Sequence, residues 1–175
     1  SVAIPFSLSL TASSTAISSN GFIDILTLAM STPDPSGLTR TLTLKSSPIV
    51  IGDTMYVSTS WGPKFVYALD ARTGATKWTY QPDVPDDTLQ YACCDVNNRG
   101  VTYAEGKIFV GRLDGKLSAV DAKTGKELWT TTVVDYKQGS VITSPPLVVR
   151  NTVITGFGGG EYGARGSLQA YDINT

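Results

Sequence analysis

Two short runs of this 175-residue chain carry residue types able to do chemistry. The first is Cys93-Cys94-Asp95-Val96-Asn97-Asn98-Arg99-Gly100, whose cysteines are the only two in the chain. Metal-binding pairs usually leave about two to four residues between their sulfurs, and no histidine or second pair exists here to complete a tetrahedron, so a zinc site is a poor reading. Two readings stand: a pair of buried free thiols, or a disulfide between neighbours. The second closes a strained ring and constrains little chain, so it would be a functional object rather than a stabilising one. Arg99 offers a planar fork suited to carboxylate or carbonyl oxygens, against the plainer reading of a surface arginine. The other run is Gly158-Gly159-Gly160-Glu161. Backbone without side chains lets a flat ligand approach closely and offers its N–H groups, while Glu161 could bind a hard cation through oxygen. The plainer reading is a flexible loop with a solvated carboxylate.

Something must hold these runs, and the composition narrows what. Basic groups number 14 against 15 acidic, a net charge of -1 with no basic run, so no nucleic-acid footprint is present. No stretch approaches the roughly 18 apolar residues of a membrane span. The lack of histidine removes His-dependent triads and His-ligated metals, and 17 Gly with 9 Pro favour a turn-rich, all-β chain.

An internal repeat specifies the scaffold. Ala68-Leu69-Asp70-Ala71-Arg72-Thr73-Gly74 through Trp78 recurs from Ala119 to Trp129 with its Asp121, Thr124 and Gly125, and Ala170-Tyr171-Asp172 begins a third copy, each 51 residues after the last. Between turn signals, each period reads as four short strands. They are expected at 48–51, 55–58, 65–69 and 77–80, then at 101–103, 107–110, 116–120 and 127–130, then at 146–149, 153–155 and 167–171. Four antiparallel strands per period describe propeller blades better than a sandwich. The repeated Asp and Thr-Gly suit a side-chain-closed turn with a glycine at positive φ, and Trp78 and Trp129 suit docking between adjacent sheets.

Antiparallel strands alternate direction, so the start of a blade's first strand and the end of its second share one rim. That places the loops 91–100, 139–144 and 156–166 on one rim and the Asp-x-x-Thr-Gly turns on the other. Unusual loops gathered on one face of a rigid scaffold are where a site is expected. Residues 1–43 fit no blade: Ser and Thr crowd 7–19, 21–30 is apolar, and no Lys or Arg precedes Arg40, so a secretory signal lacks its basic region. They are expected to be an irregular leader, non-native or disordered, ahead of propeller repeats over 44–175.

Taken together, these residues resemble the pyrroloquinoline quinone (PQQ) dependent alcohol dehydrogenases, the quinoprotein group that includes methanol dehydrogenase. The resemblance rests on Cys-Cys-Asp-x-x-x-Arg-Gly at 93–100, Thr143 before Pro145-Pro146, Gly-Gly-Gly-Glu at 158–161 and the Ala-x-Asp-x-x-Thr-Gly-x-x-x-Trp repeats. It implies a parent eight-bladed propeller, of which this chain holds about three blades, with PQQ and a calcium or lanthanide ion on its axis. Cys93 and Cys94 would form a disulfide under the quinone, and Arg99 would hydrogen-bond its reactive carbonyl region. Thr143 with the backbone of Gly158, Gly159 and Gly160 would hold the cofactor's polar edge, and Glu161 would ligate the metal. The implied reaction is oxidation of a primary alcohol by hydride transfer to the quinone, with electrons passed to a cytochrome c, in the periplasm.

Some of the family's features are missing. The glutamate that usually contacts PQQ ahead of the first blade's Pro48 is here Lys45, so either the site is modified or the correspondence fails there. The catalytic aspartate, the asparagine metal ligand and the tryptophan over the quinone belong to later blades, so this chain alone is expected to turn over negligibly. The alternatives are a non-enzymatic propeller of the same repeat type serving as a binding scaffold in the envelope, which leaves Cys93, Cys94 and Glu161 idle, and a sugar dehydrogenase, which the cysteine pair disfavours.

Overall fold

Each copy of the repeat folds as its own antiparallel sheet. A computed structural model describes residues 46–58, 66–92 and 97–174, all within the unit Lys45–Thr175. The first sheet runs β1 (Ile49–Ile51), β2 (Thr54–Ser58), β3 (Val66–Asp70), β4 (Thr76–Tyr80); the second runs β5 (Thr102–Ala104), β6 (Lys107–Gly111), β7 (Lys116–Asp121), β8 (Glu127–Thr132). In the third, β10 (Thr152–Phe157) lies between β9 (Leu147–Val149) and β11 (Ser167–Asp172). These are the all-β partial propeller and the strands expected from the period. Observed limits differ from the expected ones mostly by a residue or two, and β10 runs on to Phe157, at the edge of the glycine run. The sequence pattern did not reveal a helical turn α1 (Thr88–Tyr91) or two 3-10 turns, at Tyr136–Gln138 and Gly160–Tyr162. Each is too short to carry a periodic signal.

The repeated alanine sits where three strands meet. Ala68 pairs with Tyr56 on one side and Trp78 on the other, and Ala119 pairs with Phe109 and Trp129; both alanines are fully buried. A side chain this small lets the flanking rings tilt toward each other, with centroids 5.8 Å apart for Tyr56–Trp78 and 5.9 Å for Phe109–Trp129. Trp78 Nε1 then donates across the blade gap to the carbonyl of Ala122 at 3.0 Å, and Trp129 Nε1 donates to that of Ile173 at 3.3 Å. Gly125, at φ +74°, lies against the Trp78 ring, where an added Cβ would be 2.7 Å from the ring carbons. The tryptophan of one blade therefore needs the turn glycine of the next.

That docking sandwiches the middle sheet. Ile108, Val110 and Val120 pack with Tyr56, Val66 and Tyr80 of the first sheet, while Phe109, Leu117 and Ala119 pack with Val153 and Ile173 of the third. Alternate residues of β6 and β7 thus serve two cores, so these strands read as continuous apolar runs. The turns closing each third strand are held locally. Asp70 Oδ1 accepts from the N–H groups of Arg72 and Thr73 and from Thr73 Oγ1, and Asp121 Oδ1 accepts the equivalent three bonds from Lys123 and Thr124. Hydrogen bonds to the Thr73 backbone and the Thr124 side chain, respectively, do most to hold the two carboxyls below the ordinary carboxylate value.

Both features are testable by urea unfolding of the chain. Gly125→Ala is expected to cost about 1–3 kcal/mol, lowering the midpoint at constant slope. Gly106→Ala, with φ +73° but open space around it, isolates the backbone cost and should be milder. Equal losses at the two positions would remove the docking argument. Because the Asp121 carboxyl is depressed in the folded state, its contribution is present above the unfolded value of 3.8 and lost as pH falls through the folded one. Asp121→Asn should therefore destabilise at pH 7 and converge on the parent chain once pH falls below the folded value of that carboxyl; a gap that persists after it is protonated would refute the linkage.

Candidate functional site

The loops expected on one rim are joined there by hydrogen bonds. The Arg99 N–H donates to the Thr143 carbonyl at 2.9 Å, and its Nη1 donates to Thr143 Oγ1 at 2.7 Å. In the other direction, the Arg99 carbonyl accepts from Ser47 N at 3.0 Å, in a parallel bridge between Ser47 and Gly100. Two residues before Thr143, Val141 exchanges bonds with Gly158 at 3.0 and 3.2 Å. The lead-ins to all three sheets thus form one strip through Ser47, Arg99, Thr143, Val141 and Gly158.

A buried amide fixes the arginine's place on that strip. Asn98 Oδ1 accepts from Ser58 Oγ at 2.8 Å and from Gly100 N at 3.0 Å, while its Nδ2 donates to the Gly111 carbonyl at 3.0 Å. Ser58 is itself bonded to Ser46. The network joins the end of β2 to the end of β6 directly beside Arg99, whose guanidinium remains on the exposed side. Gly100, at φ +142°, is needed for close approach, since an added Cβ would lie 3.1 Å from the Ser47 carbonyl oxygen.

The glycine run divides its labour. Gly159 is packed, with an added Cβ only 2.1 Å from the Gly139 carbonyl oxygen, whereas Gly158 and Gly160 face open space. The Gly158 N–H is already spent on Val141, which narrows the expectation that all three backbones are available to a ligand. The run is a formed turn, with Tyr162 N and Ala164 N both donating to the Gly159 carbonyl. Glu161 lies exposed within it and makes no ion pair among the described residues. Cys93, Cys94 and Lys45 fall outside the described residues. The next described residue, Asn97, has a buried Oδ1 with no hydrogen-bond partner.

Sequence reasoning missed what braces this rim. Arg112 and Asp114 form an ion pair at 2.7 Å with 3% and 0% of their side chains exposed. Nothing in an Arg-Leu-Asp-Gly turn distinguishes it from a solvated hairpin before the fold buries it. Tyr136 likewise donates to Asp87 at 2.7 Å and meets Tyr91 edge-on, tying the linker before Cys93 to the linker before Ser140. The bond to Asp87 is the main reason the Tyr136 phenol is pushed up to about 12.

Three antiparallel sheets of one repeat, joined along a common rim, define a β-propeller of repeating blades, and comparison with known proteins gives its family. Residues 27–175 match the family described as PQQ: Glucose/ethanol/alcohol dehydrogenase, beta-propeller domain, and the chain belongs to it. Among its relatives, the lanthanide-dependent methanol dehydrogenase of Methylacidiphilum fumariolicum (strain SolV) is 50% identical over 133 residues, 75% of this chain and 22% of that protein. The 1-butanol dehydrogenase (cytochrome c) of Thauera butanivorans is 46% identical over 155 residues, 83% of this chain and 22% of that protein. A solved europium-containing methanol dehydrogenase superposes with TM-score 0.69 at 51% identity, over 73% of this chain and 22% of its own. The chain therefore spans about a fifth of the length of these relatives. BamB from Moraxella catarrhalis, at 20% identity, TM-score 0.57 and coverage of 78% of this chain and 35% of its own, shares the fold alone.

The glycine geometry gives a direct check. Gly159→Ala should destabilise by about 1–3 kcal/mol because backbone must move, while Gly158→Ala and Gly160→Ala should leave the unfolding midpoint within about 0.5 kcal/mol. If Gly159→Ala were tolerated as well as the other two, the turn would not be built as described.

Proposed function

We propose that this chain forms the cofactor-facing rim of a PQQ- and metal-dependent alcohol dehydrogenase that oxidises primary alcohols and passes electrons to a cytochrome c. The observation that carries this reading is the strip linking Arg99, Thr143 and Gly158, three positions chosen from separate loops. The rim fits a flat, oxygen-rich anion. Arg99 presents a guanidinium on the exposed side, and Gly158 and Gly160 leave room that a Cβ would fill.

In this reading the vicinal pair Cys93-Cys94 is oxidised and forms the floor for the ring. Arg99 and Thr143 orient the ring's oxygens, with the Arg99 guanidinium held by Thr143 Oγ1. The backbone of Gly159 and Gly160, and that of Gly158 by shape alone, lines the polar edge. Glu161 supplies a carboxylate to calcium or a lanthanide; the lanthanide-dependent relative supports keeping both ions open. When bound, the quinone supplies a two-electron acceptor and the ion a Lewis acid. Lys45 would place a second cation near Arg99 and alter the contact made there. The blades run over 44–175, with 1–43 as a leader. The apolar face of the third sheet, where Leu147 and Leu168 are 60% and 78% exposed, is what a following blade would cover. An oxidised vicinal pair is compatible with the periplasm.

Reconstitution of the full-length protein with PQQ and either calcium or a lanthanide tests this by absorption spectroscopy. A cofactor band is expected, lost or weakened at least about tenfold in Glu161→Ala, with thiol titration of unreduced protein finding no free thiol at Cys93 and Cys94. Absence of uptake by the parent protein would favour the non-enzymatic envelope scaffold. Two titratable thiols would remove the disulfide from the site.

A further inference from the structure

The five residues Gly111–Gly115 turn from β6 into β7 on the same rim as the site, yet all five are buried. Each grips something different. The Gly111 carbonyl accepts from Asn98, and an added Cβ there would lie 2.3 Å from an Ile142 methyl. Leu113, 1% exposed, packs between Ala92 and Val141, the ends of two linkers. The Gly115 carbonyl accepts from both Val133 and Val134, and a Cβ at Gly115 would be 2.1 Å from the Val134 carbonyl oxygen.

Arg112 is the directional member. Its Nε and Nη2 hold both oxygens of Asp114 at 3.0 and 2.7 Å, Nη2 also donates to the Asp83 carbonyl at 2.7 Å, and Nη1 reaches Ser118 Oγ at 3.4 Å. Lys116 adds a second cation 3.7 Å from Asp114. Asp83 lies in the first blade's exit linker, which continues through α1 to Ala92 and the candidate cofactor loop. A desolvated ion pair is weak grounds for stability, because an apolar pair of the same shape often does as well. What an apolar pair lacks is a donor aimed at one carbonyl across the blade gap. Asp114 keeps the fork oriented, and the fork keeps Asp83 in place.

We propose that Arg112, oriented by Asp114, is a positioning residue that sets the course of linker 83–92 and thereby the placement of Arg99 for the cofactor. The consequence for the cofactor rests on the function proposed above; the consequence for the linker does not.

The test uses the full-length protein. Arg112→Lys keeps the charge but loses the fork, and Arg112→Met/Asp114→Asn removes both charges without leaving one buried alone. In cofactor-free protein, amide exchange at Thr88 and Gln90, which are bonded to the carbonyls of Pro85 and Asp87, should accelerate roughly tenfold in both variants. The PQQ dissociation constant should rise at least about tenfold in both. Gly106→Ala, which strains an open turn on the opposite rim without touching the tryptophan interlock, is the control for a merely structural loss and should change neither value. Native exchange at Thr88 and Gln90 in the variants overturns the proposal whatever PQQ does, as does native PQQ affinity with accelerated exchange. If the parent protein takes up no PQQ, the proposed function falls and with it the cofactor half of this inference, while exchange still decides the linker half.

Discussion

The site depends on where Arg99 is held. Its N–H is bonded to Thr143, at the lead-in to the third sheet, and its carbonyl accepts from Ser47, at the lead-in to the first. One residue therefore measures the spacing between three blades, and its guanidinium is held on the exposed side by its bond to Thr143 Oγ1. Asn98 beneath it converts a loop into a fixture by satisfying Gly100, Ser58 and Gly111 at once. A buried network of this kind is useful only when it is complete, since an unpaired member would cost more than the network gains.

The blades must themselves be held at a fixed angle for that spacing to persist. The interlock of Tyr56, Ala68 and Trp78 with Ala122 and Gly125 does this on the opposite rim, and Phe109, Ala119, Trp129 and Ile173 repeat much of it one blade on. The two carbonyl acceptors lie at corresponding steps of the repeat, 44 residues after their tryptophans. Errors in one dock would be carried to every lead-in that follows.

Much of this was legible in the chain because its causes are local or periodic. The Asp-x-x-Thr-Gly turns, the strands and the shared rim follow from a repeat of 51 residues and from strand alternation. Arg99, Thr143 and the glycine run were legible as unusual loops falling on that rim. Their division of labour was not, because whether Gly159 packs and Gly158 faces open space depends on Gly139 and Val141, in a different linker. Arg112 and Asp114 were invisible for a related reason. A charged turn is normally solvated, and only the convergence of two linkers over it makes it a buried brace. The turn at Thr88–Tyr91 is likewise held by a contact 49 residues away in sequence, between Asp87 and Tyr136.

The two rims also obey different rules, and the difference explains how a repeated scaffold carries a single site. On the docking rim the two described docks use the same tryptophan-to-carbonyl bond, so substitution in one has a counterpart in the next. On the other rim the linkers 81–92 and 133–143 and the turn at 158–166 share neither length nor sequence, and they are held by side chains that do not recur: Asn98, Arg112, Asp114 and Tyr136. A periodic core cannot specify a non-periodic surface, because it presents the same face at each step. The asymmetry has to be written in polar groups whose hydrogen bonds are directional; Asn98, Arg112 and Asp114 are buried, and Asn98 lies directly beside the strip that holds Arg99 and Thr143.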